Sequence, residues 1–185
     1  MALELFKDEL ARQLPPEDIC KCGRSVTHLS EELLLMAGKT EAGSPNPNSF
    51  EGHVWENDWL FVPAVPVTRV CLAALADDIP LVARRMFAEL LLLIVSMSST
   101  GLIDGERDLV EECHTIARSG TWLLYAEILA ARAPGIAGDC FTILQFLGED
   151  SERLRTVYHV AWSAMEHFPS WTDGPDSDEP PAVRV

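Results

Sequence analysis

The sequence predicts an all-α protein: a seven- to eight-helix antiparallel bundle or a short stack of helix pairs, carrying a long ordered non-helical insertion at residues 39–66. Three observations support this. Apolar residues recur at helical spacing over most of the chain. The connections between those runs are short, which sets successive helices antiparallel. One stretch, rich in proline and asparagine, breaks the period. With 185 residues and 48% hydrophobic positions, the chain can bury a sizeable core. The expected organisation is one helical domain over 1–169 and a flexible acidic tail over 170–185, where four acids and three prolines leave little to bury.

The first helix, 2–14, places Leu3, Phe6, Leu10 and Leu14 on one face and stops at Pro15-Pro16. A polar connector follows, holding Cys20, Cys22 and Gly23. Helix two runs 28–37, with Ser25 or Thr27 as its cap and Gly38 as its terminator. Residues 39–67 hold four prolines and three asparagines and no helical period, so they read as loop with one or two short strands. Helix three is expected at 67–77. Helix four is expected at 79–98 and is apolar nearly all round, as a central helix must be. Helix five follows Asp104 and ends at Gly120. Helix six ends before Pro134, helix seven covers 136–147, and helix eight starts at Asp150 or Ser151 and stops before Pro169.

Charge excludes one class of function. Twenty-nine Asp and Glu against 14 Lys and Arg give a net charge of −15, opposite in sign to a surface that grips nucleic acid. The N-terminus reads as an amphipathic helix rather than a signal peptide, and the most apolar stretch, Leu90 to Met97, is far short of the roughly 20 residues that span a bilayer. The five cysteines are odd in number, and three sit singly in apolar helical patterns, which fits unpaired thiols in a reducing, cytoplasmic setting.

Several clusters invite a chemical reading. Cys20, Cys22 and His28 offer zinc-type ligands, but only three of the four a structural site takes, and without the usual C-x2-C spacing; two ordinary thiols beside a helix start is the favoured reading. Glu111 and His114 have the Glu-x-x-His spacing of di-iron bundles, yet the apolar stripe of their helix points elsewhere. His159, Glu166 and His167 fall on the polar side of helix eight. Glu89, in an apolar helix, has Arg85 one turn away as an ion-pair partner. The common nucleotide-binding, zinc-protease and serine-hydrolase motifs are absent, which weakens an enzyme reading. No catalytic residue, metal or cofactor is therefore expected.

The insertion is the favoured site. From Glu31 to Thr68 there are six acids and one base, interleaved with aromatics. Glu51, His53, Trp55, Glu56, Asp58 and Trp59 make a composition suited to a basic protein partner. The competing reading is that Trp55 and Trp59 plug the end of the bundle. In size, charge and lack of catalytic motifs the chain resembles the immunity and antitoxin proteins of bacteria, a likeness of character carried by no motif. It implies an inhibitor that neutralises a basic toxin or enzyme by direct contact, with no role for nucleic acid or membrane. A scaffold subunit of a larger assembly, and a helical-bundle enzyme or ligand binder using Glu89, Glu127 or a histidine, are the alternatives.

Overall fold

The structure is a computed structural model that describes residues 3–100 and 107–162. The protein is all-α: among these residues are eight α-helices, one 3-10 turn and three two-residue strands. The expected tail over 170–185, the end of helix eight with Glu166 and His167, and Asp104, after which helix five is expected, lie outside the described residues.

Helix α1 (Glu4–Gln13) buries Phe6 and Leu10 and lies along α3 (Ala64–Ala76). Its Phe6 N–H donates to the carboxylate of Asp77, just past the end of α3. That bond places a negative charge against the positive end of the α1 dipole. Helix α2 (Thr27–Ala37) buries Leu29, Leu33 and Met36. Helix α3 begins at Ala64, three residues before the expected start. Pro66 sits in its first turn, where a missing N–H costs no hydrogen bond.

Helix α4 (Leu81–Ser96) is central, as its all-round apolarity requires, and packs against α3 and α7. Phe87, Leu90, Leu91 and Ile94 are wholly buried on it. Pro80 precedes this helix rather than lying within its first turn. Helix α5 (Leu109–Ser119) is capped by Asp108, whose side chain accepts from Glu111 N–H. Gly120 joins it to α6 (Thr121–Ala130) against α3, where a Cβ at this position would come 2.5 Å from Leu72 Cδ2. Helix α7 (Pro134–Phe146) packs between α4 and α6, and α8 (Ser151–Trp162) covers α6 and α7. Asp150 caps α8 through Arg153 N–H.

The insertion is ordered and mostly non-helical, as expected. A 3-10 turn (Pro47–Phe50) is closed by a reciprocal cap between Asn46 and Ser49. Strands β1 (Trp55–Glu56) and β2 (Trp59–Leu60) form a hairpin, and β3 (Ser99–Thr100), after α4, runs parallel to β2. Asn57 takes the hairpin turn with φ +53°, a conformation asparagine tolerates better than most residues. The insertion shares the helical core: Phe50, Val54 and Leu60 are buried in the same apolar cluster as Phe87 and Phe141.

One buried ion pair ties three helices together. Arg84 on α4 donates to Glu127 on α6 at 2.6 Å, and to the carbonyls of Leu75 and Asp77 at the end of α3, also at 2.6 Å. Both side chains are about one-twentieth exposed, Arg84 at 6% and Glu127 at 4%. The expected Arg85–Glu89 pair does not form. Arg85 is exposed and lies over Gly135 at the start of α7, and the arginine one residue earlier takes the interior position. No described helix is long and apolar enough to cross a membrane.

Candidate functional site

The hairpin sorts its residues by strand alternation, with side chains pointing in and out by turns. Trp55 and Leu60 face each other across the ladder on the buried side, while Glu56 and Trp59 pair on the outer side. Trp55 is 4% exposed and belongs to the core, so the plug reading holds for that residue. Trp59 is 45% exposed. Glu51, Glu56 and Asp58 are also exposed. The outer side of the hairpin therefore presents one large aromatic ring with Glu56 across the ladder and Asp58 beside it in the chain, and Glu51 is exposed at the edge bridged to Trp55. Lys21 reaches this side as well, bridging to Glu56 at 3.0 Å and lying 3.5 Å over the Phe61 ring.

His53 does not join that face. It turns toward the 18–28 segment, where Cys20, Cys22, His28 and His53 bring their donor atoms within 4.8 Å of one another. Cys20 Sγ lies 3.5 Å from His53 Nδ1, and Cys22 Sγ lies 3.9 Å from His28 Nε2. The two imidazoles meet edge to face with ring centres 4.8 Å apart.

Local backbone geometry builds this cluster. Cys20 N–H donates to Arg24 O and Gly23 N–H to Cys20 O, each at 2.8 Å, so residues 20–24 form a tight turn. Gly23 takes φ +80° there, which a side chain would resist. His28 Nδ1 lies 2.7 Å from Ser25 O, an arrangement that fixes the proton on Nδ1 and leaves the Nε2 lone pair toward the cysteines. Gly52, at φ +78°, turns the chain so that His53 faces inward.

Electrostatics divide the two thiols. A hydrogen bond from the Arg24 guanidinium, 3.4 Å from Cys22 Sγ, lowers the Cys22 pKa. Burial raises that of Cys20, against backbone N–H groups of Cys22 and Lys21 that favour its thiolate. Burial, then the nearby His28, lowers the His53 pKa, which favours the neutral ring. The remaining cysteines are buried in the helical core. Burial pushes the Cys113 thiol up to about 11 and raises Cys71 and Cys140 as well.

The other candidates stay apart. Glu111 is exposed and bound to Arg118 at 2.8 Å, while His114 contacts Val95 O at 2.9 Å, so the two do not form a metal pair. His159 is exposed. Glu89 is half-buried at an open groove that Asn46, Leu81, Arg85 and Met86 also line. Beside it, burial first and Glu89 second push the Asp139 carboxyl up to about 6, against the pull of Arg85.

Sequence reasoning missed His53 as a member of the cysteine cluster because it lies 25 residues beyond His28. The one available signal was its place in an ordered insertion next to an incomplete ligand set. No family model matches the chain, nor does any curated protein or solved structure.

Proposed function

We infer that this protein is a protein-binding domain that covers a basic partner, in the manner of an immunity or antitoxin protein. The observation that carries the reading is Trp59, 45% exposed on a short ordered hairpin, with exposed Glu56 paired to it across the ladder and exposed Asp58 next to it in the chain. An exposed tryptophan on rigid backbone gives large contact area at little entropic cost. The carboxylates around it, within a chain of net charge −15, supply long-range attraction and fast association with a basic surface. The proposed contact residues are thus Glu51, Glu56, Asp58 and Trp59, with Trp55 and His53 supporting them from behind.

Affinity capture from the native host tests this, with wild-type protein and a Trp59→Ala variant as parallel baits. A basic protein retained by the first bait and lost from the second is the expected result. Equal recovery on both baits would remove Trp59 from the interface.

A second reading, a subunit of a larger assembly, is favoured by α6. Trp122, Ala126 and Leu129 lie at successive turns on its outer face and all are exposed, Trp122 at 72%. A helix that is apolar on its solvent side suits a covering partner. Sedimentation of wild-type and Trp122→Asp protein separates the two readings, because an assembly surface on α6 would change the mass of the complex and the hairpin reading would not.

A further inference from the structure

We propose that Cys20, Cys22, His28 and His53 form a structural zinc site that staples the 18–28 segment to the base of the hairpin. The four donors converge on one point at nearly the spacing of a tetrahedral site. With Zn–S near 2.3 Å and Zn–N near 2.0–2.1 Å, the donors of such a site stand roughly 3.3–3.8 Å apart. The Cys20–His53 separation, 3.5 Å, falls in that range, the Cys22–His28 separation, 3.9 Å, lies just above it, and all four donors lie within 4.8 Å of one another, so a contraction of about 1 Å at most would bring them onto one ion. The three-ligand set visible in the sequence is completed by a fourth residue from the far side of the insertion.

The surroundings of the four donors suit a metal. A metal-bound histidine usually donates its other ring N–H to a carbonyl or carboxylate, and His28 has Ser25 O in that place at 2.7 Å. Metal-bound cysteines are thiolates. The Arg24 guanidinium, 3.4 Å away, donates to Cys22 Sγ. Two thiolates and two neutral imidazoles select zinc over harder divalent ions such as magnesium or calcium. Four protein donors leave no open position, so the role is structural rather than catalytic. Binding one Zn2+ forms two Zn–S and two Zn–N bonds and releases the two thiol protons to solvent. The site does not depend on the partner-binding reading, although it would hold rigid the hairpin on which that reading rests.

The test uses the full chain, reduced, stripped of metal under denaturing conditions, and refolded with either Zn2+ or Co2+. The expected result is one zinc per chain by elemental analysis. The cobalt form should show the intense visible bands of tetrahedral Co2+ and a near-ultraviolet thiolate-to-cobalt band. Cys22→Ser and His53→Gln should each weaken zinc binding at least about 100-fold, since even partners one bond further out are worth 10–100-fold. His159→Gln, exposed on α8, should bind as wild type does. Zinc bound at no fixed stoichiometry, or equally well by the His53→Gln chain, would overturn the proposal. If the ligand variants fail to fold, the wild-type cobalt spectrum decides alone: octahedral bands without thiolate charge transfer contradict the site.

Discussion

The helices α3 to α8 and the segment from Cys20 to Phe61 solve the same problem by different means. The helical part is held by continuous apolar packing around α4, with Phe87, Leu90, Leu91 and Ile94 fully buried. Apart from α2, the 20–61 segment has only a 3-10 turn and two two-residue strands. Outside α2 it is held by a few buried anchors (Phe50, Val54, Trp55 and Leu60) and by specific polar ties such as Lys21–Glu56 and the Cys-His cluster. Packing spread over many side chains tolerates surface change and leaves nothing reactive outside. A segment fixed by a few anchors can turn its remaining residues outward, which is where Trp59 and its acidic neighbours stand.

The largest effects should come from anchors in either region. Phe87→Ala and Trp55→Ala should each cost about 3–5 kcal/mol, because both create a cavity under a buried ring. Urea denaturation of the two variants measures how fully the insertion shares the core. A Trp55→Ala cost below about 1 kcal/mol would break the comparison by making the insertion an accessory loop.

Next in size is the charge inside the helical part. Glu127→Leu should destabilise by about 3 kcal/mol, because Arg84 stays buried with carbonyl partners only. Arg84→Met with Glu127→Leu should recover part of that loss, since no buried charge then remains uncompensated. A double-mutant cycle followed by urea melts reads the coupling, and simple additivity would mean the pair contributes nothing.

A smaller, pH-dependent effect belongs to Asp139. Its carboxyl is pushed up to about 6 in the folded protein, above its usual range. The folded state therefore holds this proton more tightly than the unfolded chain does. Stability from the group is complete below about pH 4 and is lost as pH rises through 6. Asp139→Asn should stabilise by about 1–2 kcal/mol at pH 8, after allowing for its partial exposure, and by close to nothing near pH 4. The same difference at both pH values would show that the carboxyl's surroundings do not disfavour its charge.

Legibility from sequence follows the same division. The helices could be read because apolar spacing is local: Leu3 through Leu14, or Leu154 with Val157 and Ala161, announce a face within a few turns. Boundaries slipped where one residue suggested two positions. Helix α3 begins three residues before the expected 67 and takes Pro66 into its first turn, and Pro80, inside the expected 79–98 range, precedes α4. Long-range pairings could not be read. Arg84 meets Glu127 across 43 positions, whereas spacing alone favoured the neighbouring Arg85 with Glu89. His53 meets Cys20 across 33 positions, and only the hairpin brings it there. Within the insertion the alternation Trp55-in, Glu56-out was implicit in its sequence, but two-residue strands are too short to show a period.

The smallest effect on folding should come from the outer face of the hairpin, and the largest effect on association. Reversing Glu51 and Asp58 to Lys should change stability by no more than about 0.5 kcal/mol per site, and Glu56→Lys by about 1 kcal/mol at most, since it also breaks the exposed pair with Lys21. The most direct measurement is the association rate of the captured partner with wild-type and charge-reversed protein over a range of salt. The expected result is a rate that falls steeply with salt for wild type, since exposed charges are screened beyond about 8 Å at physiological ionic strength, and that is slow and nearly flat for the reversed chain. Equal rates and equal salt slopes in a reversed chain that remains folded would contradict the acidic hairpin as the partner surface.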